Sequence, residues 1–173
     1  MLLATSDASA IEQQHHLGLA PAFGMLNIKD KSTVSAGFGG ALHYAYGLTD
    51  QWNLTLDASS VVVAADQKLD PPANLQTRPA AVHQAGAGVS YVIDILRVIP
   101  WFGIEGGACL LTGGTLDRAI VVPDLSVGVG LDYQLSRTFA VGVTGREHLM
   151  ISKLDTYPSY LTAMLRFEVM WGY

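Results

Sequence analysis

Apolar and polar side chains alternate along most of the chain, and the alternation is clearest at its end. In the segment 161–173 every odd position is apolar, whereas the even positions include Thr162, Arg166 and Glu168. A period of two is the signature of a β-strand, because successive side chains point to opposite faces. Such a segment exceeds the usual strand of about 5–6 residues and can cross a bilayer, which takes about 9–11 residues. The pattern predicts a long strand with one wholly apolar face.

Seven earlier segments repeat this alternation. They are 16–26, 33–48, 52–64, 82–93, 100–111, 124–134 and 139–151. An even number of long alternating strands is typical of a closed, antiparallel, up-and-down transmembrane β-barrel. We therefore expect an all-β barrel of eight strands in residues 15–173, preceded by a flexible leader in residues 1–14. Pro21 predicts a bulge or local irregularity in the first strand, because proline removes a ladder donor.

The connections between the predicted strands alternate in length. The short ones lie near residue 50, at 94–99 and at 135–138. The longer ones lie at 65–81, 112–123 and 152–159. Membrane barrels have short periplasmic turns and long extracellular loops. The lengths therefore predict that both termini are periplasmic.

Outward-facing aromatic residues crowd toward the end of the predicted barrel that carries the short turns. This aromatic girdle consists of Tyr44, Tyr46, Trp52, Tyr91, Phe102, Tyr133, Phe139, Trp171 and Tyr173. A lipid–water interface favours such a girdle. A soluble barrel, the lipocalin-like alternative, would aggregate through it.

Composition agrees with a membrane barrel. Charged residues make up 14% of the chain, against about 25% in a typical soluble domain. No window of about 18 uncharged apolar residues exists, so a transmembrane helix is not expected. The net charge of −5 argues against nucleic acid as a partner. A single cysteine, Cys109, rules out an internal disulfide framework.

The final alternating strand, ending in an aromatic residue, resembles the last strand of bacterial outer-membrane β-barrels. The matching positions are Leu165, Phe167, Val169, Trp171 and Tyr173. With the other seven strands, the chain resembles the small eight-stranded family of the OmpA transmembrane domain and OmpX. This resemblance implies an integral, porin-like protein of the Gram-negative cell envelope. It also implies contact with outer-membrane lipid and lipopolysaccharide, and with the barrel-assembly machinery that reads the last strand.

Eight titratable side chains are predicted to face the lumen. They are His43, Asp57, Glu105, Asp132, Arg146, His148, Arg166 and Glu168. An eight-stranded barrel is only wide enough for its side chains to fill it, so we interpret the set as a buried ion-pair network. A gated polar path is the alternative. We expect Arg146 to lie near Glu168, Glu105 to lie at the height of Asp132, and His43 or His148 to balance the excess of negative charge.

The favoured function is a structural or interaction role, with minor conductance left open and with no enzyme activity, cofactor or metal expected. The alternative in the same fold is an enzyme that modifies lipid A with a histidine, a serine and an acid. Glu147, His148 and Ser152 are its candidate pieces. The pair His15 and His16 is interpreted as solvated leader residues.

Association with another envelope protein or with a second copy of the chain is also considered. Ala85, Ala87, Gly106 and Ala108 form a smooth outward patch of small residues on two neighbouring predicted strands. Small residues allow helices to approach closely in membranes. By analogy, this patch is the candidate surface for a homo-oligomer.

Overall fold

A computed structural model describes residues 13–29, 33–63, 78–93 and 97–172. The eight strands are β1 His15–Ile28, β2 Thr33–Gly47, β3 Trp52–Val63, β4 Ala81–Val92, β5 Val98–Thr112, β6 Ile120–Gln134, β7 Phe139–Met150 and β8 Tyr160–Trp171. Each strand pairs antiparallel with the next, and β8 pairs with β1. The predicted closed up-and-down barrel of eight strands is thereby confirmed. Among the described residues, no helix is long and apolar enough to cross a membrane.

The two ends of the barrel differ in their connections. We call one the short-turn end; its connections are 48–51, 93–97 and 135–138. We call the other the long-loop end; its connections are 29–32, 64–80, 113–119 and 151–159. The strands have 12 to 15 residues, which is more than the roughly 9–11 residues that a tilted strand needs to cross a bilayer.

Hydroxyl side chains close two of the short turns. Thr49 Oγ1 accepts hydrogen bonds from the backbone N–H groups of Gln51 and Trp52, at 3.3 and 3.1 Å. Ser136 Oγ accepts the backbone N–H of Phe139 at 3.1 Å. Serine and threonine favour turns because their hydroxyl groups satisfy nearby backbone donors that no strand partner reaches. These residues fix where β3 and β7 begin.

The predicted extent of the loop before β6 needs correction. β6 begins at Ile120, so the predicted loop 112–123 is wrong and the connection is 113–119. Pro123 was read as a loop residue, but it lies within β6 opposite Ala108. The described β6–β7 ladder begins one residue later, at Asp124, so the missing N–H of Pro123 interrupts no pair of that ladder.

Pro21 does not produce the predicted bulge. It pairs with Gly40 in the unbroken β1–β2 register. Between β1 and β8, however, the described ladder has no pair at Ala20 or Pro21 and resumes at Ala22 with Met164 in the same register. The irregularity is therefore a local gap in one ladder, as expected for a residue without a backbone donor.

Apolar side chains fill the lumen toward the long-loop end. We call this group the apolar plug; its fully buried members are Leu26, Ile28, Val61, Val63, Val82, Leu111, Val122, Met150, Tyr157 and Tyr160. The opposite faces of the same strands carry exposed apolar side chains, of which Phe38 is the most exposed at 74%. The barrel is therefore apolar on its outer surface and closed inside at one end.

Candidate functional site: the barrel lumen

One buried ion-pair group centres on Arg146 of β7. Its Nη1 pairs closely with Glu105 of β5 and lies 3.3 Å from Asp57 of β3. The Thr55 hydroxyl donates to the other carboxylate oxygen of Glu105 at 2.9 Å. We call Arg146, Glu105 and Asp57 the Arg146 cluster. Buried charges persist when they are paired and hydrogen-bonded, and this cluster meets both conditions.

A second group centres on Arg166 of β8. Its Nη2 donates to both carboxylate oxygens of Asp132 on β6, at 2.6 and 2.5 Å. Its Nε lies 3.3 Å from Glu168 Oε1, and its guanidinium stacks 4.6 Å from the centroid of the Trp101 ring. We call these four residues the Arg166 cluster. Arginine suits this position because its planar group forms several directed hydrogen bonds and stacks on aromatic rings.

His43 joins the two clusters. Its Nδ1 lies 3.0 Å from Asp57, and its Nε2 lies 3.3 Å from Nη1 of Arg166. Nε2 of His43 also lies 3.9 Å from Oε1 of Glu168. His43 therefore lies next to an acid of each cluster. The expectation that His43 or His148 balances the excess of negative charge stays a prediction.

All eight titratable residues predicted to face the lumen lie on inward positions, but two expected neighbour relations are wrong. Arg146 pairs with Thr162 in the β7–β8 ladder, six residues along β8 from Glu168. Glu105 and Asp132 are likewise far apart, since Glu105 lies opposite Ser126 in the β5–β6 ladder. The acids expected to repel each other therefore belong to different clusters, each with its own arginine.

Sequence reasoning missed several lumen residues. Trp101 points inward from β5 and is 7% exposed. His16, expected to be a solvated leader residue, belongs to β1 and lies 3.3 Å from Glu168. Asp124 of β6 is also buried and lies 2.9 Å from His148. Trp101 and Asp124 could have been found from the parity of their positions, because each occupies the inward phase of its own strand.

A cavity of about 50 Å³ lies between the charged clusters and the short-turn end. Its walls include Asn53, Thr55, Trp101, Arg166 and Glu168. A volume of this size holds a few water molecules. No described residue of the apolar plug lines this cavity, so the cavity ends on the short-turn side of the plug.

The aromatic girdle lies on the outer surface at the short-turn end. Trp52, Tyr91 and Phe102 form a row with ring centroids 5.2 and 5.4 Å apart. His15, also expected in the leader, stacks on Trp171 at 5.4 Å. The remaining described members of the girdle are Tyr44, Tyr46, Tyr133 and Phe139. Tyr173 lies outside the described residues.

The outward face of β8 carries the predicted assembly signal. Leu165, Phe167, Val169 and Trp171 are all exposed on it, at 43 to 51%. They occupy the apolar face that the alternating pattern predicts. This strand also closes the barrel against β1.

The candidate enzyme residues of the sequence do not converge. His148 is fully buried in the lumen, whereas the adjacent Glu147 points outward from the same strand. A different pair meets on the outer surface near the long-loop end. Ser60 Oγ lies 2.9 Å from Nδ1 of His83, and Nε2 of His83 lies 3.3 Å from the hydroxyl of Thr112. The described contacts of His83 include no carboxylate.

The small residues of the outward patch are direct cross-strand partners. Ala85 pairs with Ala108 and Ala87 with Gly106 in the β4–β5 ladder. A Cβ atom built on Gly106 would have nothing within 4 Å. The patch is therefore smooth and open on its outer side.

Comparison with known proteins identifies the fold. Neisserial surface protein A is 13% identical with a TM-score of 0.63 over 92% of this chain and 97% of that one. The N-terminal β-barrel domain of Pseudomonas aeruginosa OprF is 13% identical with a TM-score of 0.61 over 92% and 98%. The P. aeruginosa outer membrane protein OprG is 14% identical with a TM-score of 0.59 over 94% and 98%. No protein-family model matches the sequence, and no curated protein matches it. The chain shares the fold of small eight-stranded outer-membrane barrels.

Proposed function

We propose that this protein is an integral β-barrel of the bacterial outer membrane with a structural or partner-binding role. The observation that carries the proposal is the combination of an apolar outer surface with a filled lumen. Exposed apolar patches on soluble proteins rarely exceed a few hundred Å². Here exposed large apolar side chains occur on seven of the eight strands, and β4 contributes the exposed Ala85 and Ala87. Outer-membrane lipid, including lipopolysaccharide, is the partner that such a surface fits, and the likeness to OprG supports the same compartment.

The orientation follows from the same argument. The aromatic girdle lies at the short-turn end, and membrane barrels place short turns in the periplasm. Both described chain ends, Gln13 and Gly172, lie at that end. The long loops then face outward and are the part of the molecule available to a partner.

The filled lumen argues against transport. From the short-turn end, a solute meets the two arginine clusters and then the apolar plug, in which Tyr160, Leu26 and Val61 are fully buried. Moving an ion through a dry apolar layer is unfavourable because nothing there replaces its hydration. We therefore expect no steady conductance.

Fractionation and bilayer recording test this proposal together. Expressed with a signal peptide, the protein should sediment with outer membranes and change its gel mobility on heating. In planar bilayers the wild type should show no stable single-channel steps. Replacing Tyr157 and Tyr160 by alanine should introduce steps, because these are the two largest fully buried side chains of the plug. Steady wild-type steps would refute the filled-lumen part, and recovery in the soluble fraction would refute the membrane part.

A second candidate function, hydrolysis of a lipid acyl ester, rests on the Ser60–His83 contact of 2.9 Å. A serine hydroxyl is activated when a neighbouring histidine takes its proton as it attacks a carbonyl carbon. The pair lies on the outer surface, where an acyl chain in the outer leaflet would pass. Against this candidate, an acid that orients the histidine is absent from the described contacts of His83.

Lipid mass spectrometry decides this second candidate. Lipid extracts of cells that express the wild type should be compared with those expressing Ser60→Ala and with a Ser59→Ala control. Ser59 neighbours Ser60 but points into the lumen. Loss of acyl chains with the wild type and the control, but not with Ser60→Ala, would establish the hydrolase. Identical extracts from all three strains would exclude it.

A further inference from the structure

A thiol, a carboxylate and an imidazole meet in the lumen near the apolar plug. The ligand atoms of Cys109, Asp124 and His148 all lie within 4.8 Å of one another. Asp124 Oδ2 is 2.9 Å from Nδ1 of His148. All three side chains are buried, and Cys109 is 0% exposed. The membrane role and the lipid contacts proposed above make no use of this group.

Strand register, rather than one choice of side-chain rotamer, brings the three residues together. Cys109 on β5 lies opposite Val122, two residues before Asp124 on β6. His148 on β7 lies opposite Ser126, two residues after Asp124. Inward side chains that are diagonal neighbours on adjacent strands are within reach of one another. The three residues therefore form a diagonal line across three consecutive strands.

Unpartnered polar atoms surround this line. Asp124 Oδ1, Ser126 Oγ and the Tyr160 hydroxyl are buried without a hydrogen-bond partner among the described residues. The Tyr160 ring is fully buried and its centroid lies 5.3 Å from that of the His148 ring. Buried polar atoms are normally satisfied, and a bound ion is one way to satisfy them. The free oxygen of Asp124 belongs to one of the three candidate ligands itself.

We propose that Cys109, Asp124 and His148 form a buried site for a zinc-like divalent cation. Thiolate, imidazole and carboxylate are the zinc ligands in proteins, whereas Ca²⁺ and Mg²⁺ prefer oxygen alone. Bonds of about 2.0–2.3 Å in a tetrahedral zinc site place the ligand atoms roughly 3.3–3.8 Å apart. Side-chain movements of about 1 Å would bring the three atoms to that separation. Tyr160 or a water molecule would complete the tetrahedron.

Binding would link β5, β6 and β7 near the long-loop end. The thiol would release its proton to solvent as the metal binds, because the thiolate is the ligand. Since the site is sealed by the apolar plug, the cation would enter while the barrel folds. Metal should therefore be supplied during refolding rather than added to the finished barrel.

Cobalt substitution tests the proposal sharply, because Cys109 is the single cysteine of the chain. The protein is unfolded in urea with a chelator, and then refolded into detergent micelles with Co²⁺ and a reductant. We expect about one retained Co²⁺ per barrel and a thiolate-to-cobalt charge-transfer band in the near ultraviolet. Excess Zn²⁺ during refolding should abolish the band.

Variants distinguish cobalt bound at this site from cobalt bound at other histidines. Cys109→Ser should remove the charge-transfer band, and Asp124→Asn and His148→Gln should weaken cobalt retention at least tenfold. His15→Ala, on the outer surface, should retain both. The proposal would be overturned if the refolded wild type showed no thiolate band, or if Cys109→Ser bound as much cobalt as the wild type. The three residues would then form only a hydrogen-bonded group. The wild-type spectrum decides the matter even if a variant fails to fold.

Discussion

Replacing Arg166 by methionine should destabilise the barrel, because two acids in the lumen then lose their arginine. The methionine keeps most of the side-chain volume and removes the charge. Asp132 then loses its bidentate partner, and Glu168 loses the guanidinium 3.3 Å away. Trp101 loses the cation stacked on its ring at 4.6 Å.

The expected loss follows from the burial of these groups. Removing one partner of a buried ion pair costs about 3–5 kcal/mol, because it leaves a charge without compensation. Two features of the site place Arg166→Met near the lower bound. The Asp132 side chain is 15% exposed and can draw on water from the cavity. Glu168 keeps His16 at 3.3 Å. We therefore expect a loss of about 3 kcal/mol in the free energy of unfolding.

Two further variants test the cause. Arg166→Lys keeps a positive charge but loses the planar guanidinium and its stacking on Trp101, so about 1–2 kcal/mol should be lost. The double variant Arg166→Met with Asp132→Asn removes the orphaned carboxylate. It should be more stable than Arg166→Met alone, because an uncharged amide costs less to bury than an unpaired carboxylate.

Urea unfolding in lipid vesicles, followed by tryptophan fluorescence, measures these differences. With a slope of about 1–3 kcal/mol per molar urea, a 3 kcal/mol loss lowers the midpoint by about 1–3 M. A midpoint for Arg166→Met within experimental error of the wild type would refute the reasoning. So would a double variant that is less stable than Arg166→Met, because the carboxylate would then not be the source of the loss.

Three other predictions concern packing, the lipid face and orientation. Gly142→Ala should lower the free energy of unfolding by about 1–3 kcal/mol, because its Cβ would collide with the carboxylate of Asp132. Gly145→Ala, on the open outer side of the same strand, is the control and should leave stability unchanged in the same urea assay. Leu165→Arg, halfway along β8, should cost about 2–4 kcal/mol in vesicles, whereas Leu165→Val should not. Trypsin added to intact cells should cleave at the exposed Arg118 and spare Arg137, as measured by mass spectrometry of the fragments. Cleavage at Arg137 alone would show that the short turns face the outside of the cell.

Alternation predicted the barrel because every strand has one face on the outer surface and one in the lumen. A period of two assigns a face to each residue without any knowledge of its partners. The outward position of Phe167 and the inward position of Glu105 could therefore both be predicted. Strand ends were harder to place. Pro123 suggested a loop, although proline is tolerated in a strand where its missing N–H faces no ladder partner. His16 stood at the start of the predicted strand 16–26 and was nevertheless interpreted as solvated, because nothing in its neighbours marks it as a lumen residue.

Partners inside the lumen could not be predicted, because alternation fixes the face of a residue and not its height. Height depends on the stagger between strands, and a change of register moves every contact. Arg146 was expected beside Glu168 because their strands are neighbours. The observed register instead places Arg146 opposite Thr162.

The observed pairs follow a layer rule that neighbour reasoning leaves out. In a small barrel, inward side chains from alternate strands stack at one height. Asp57, Glu105 and Arg146 come from β3, β5 and β7 and form one cluster. Arg166 and Asp132 come from β8 and β6 and form the other. Asp57, Glu105 and Asp132 are thus paired by strand parity, because the arginine of each lies two or four strands away. Glu168 differs, since it lies on the same strand as Arg166.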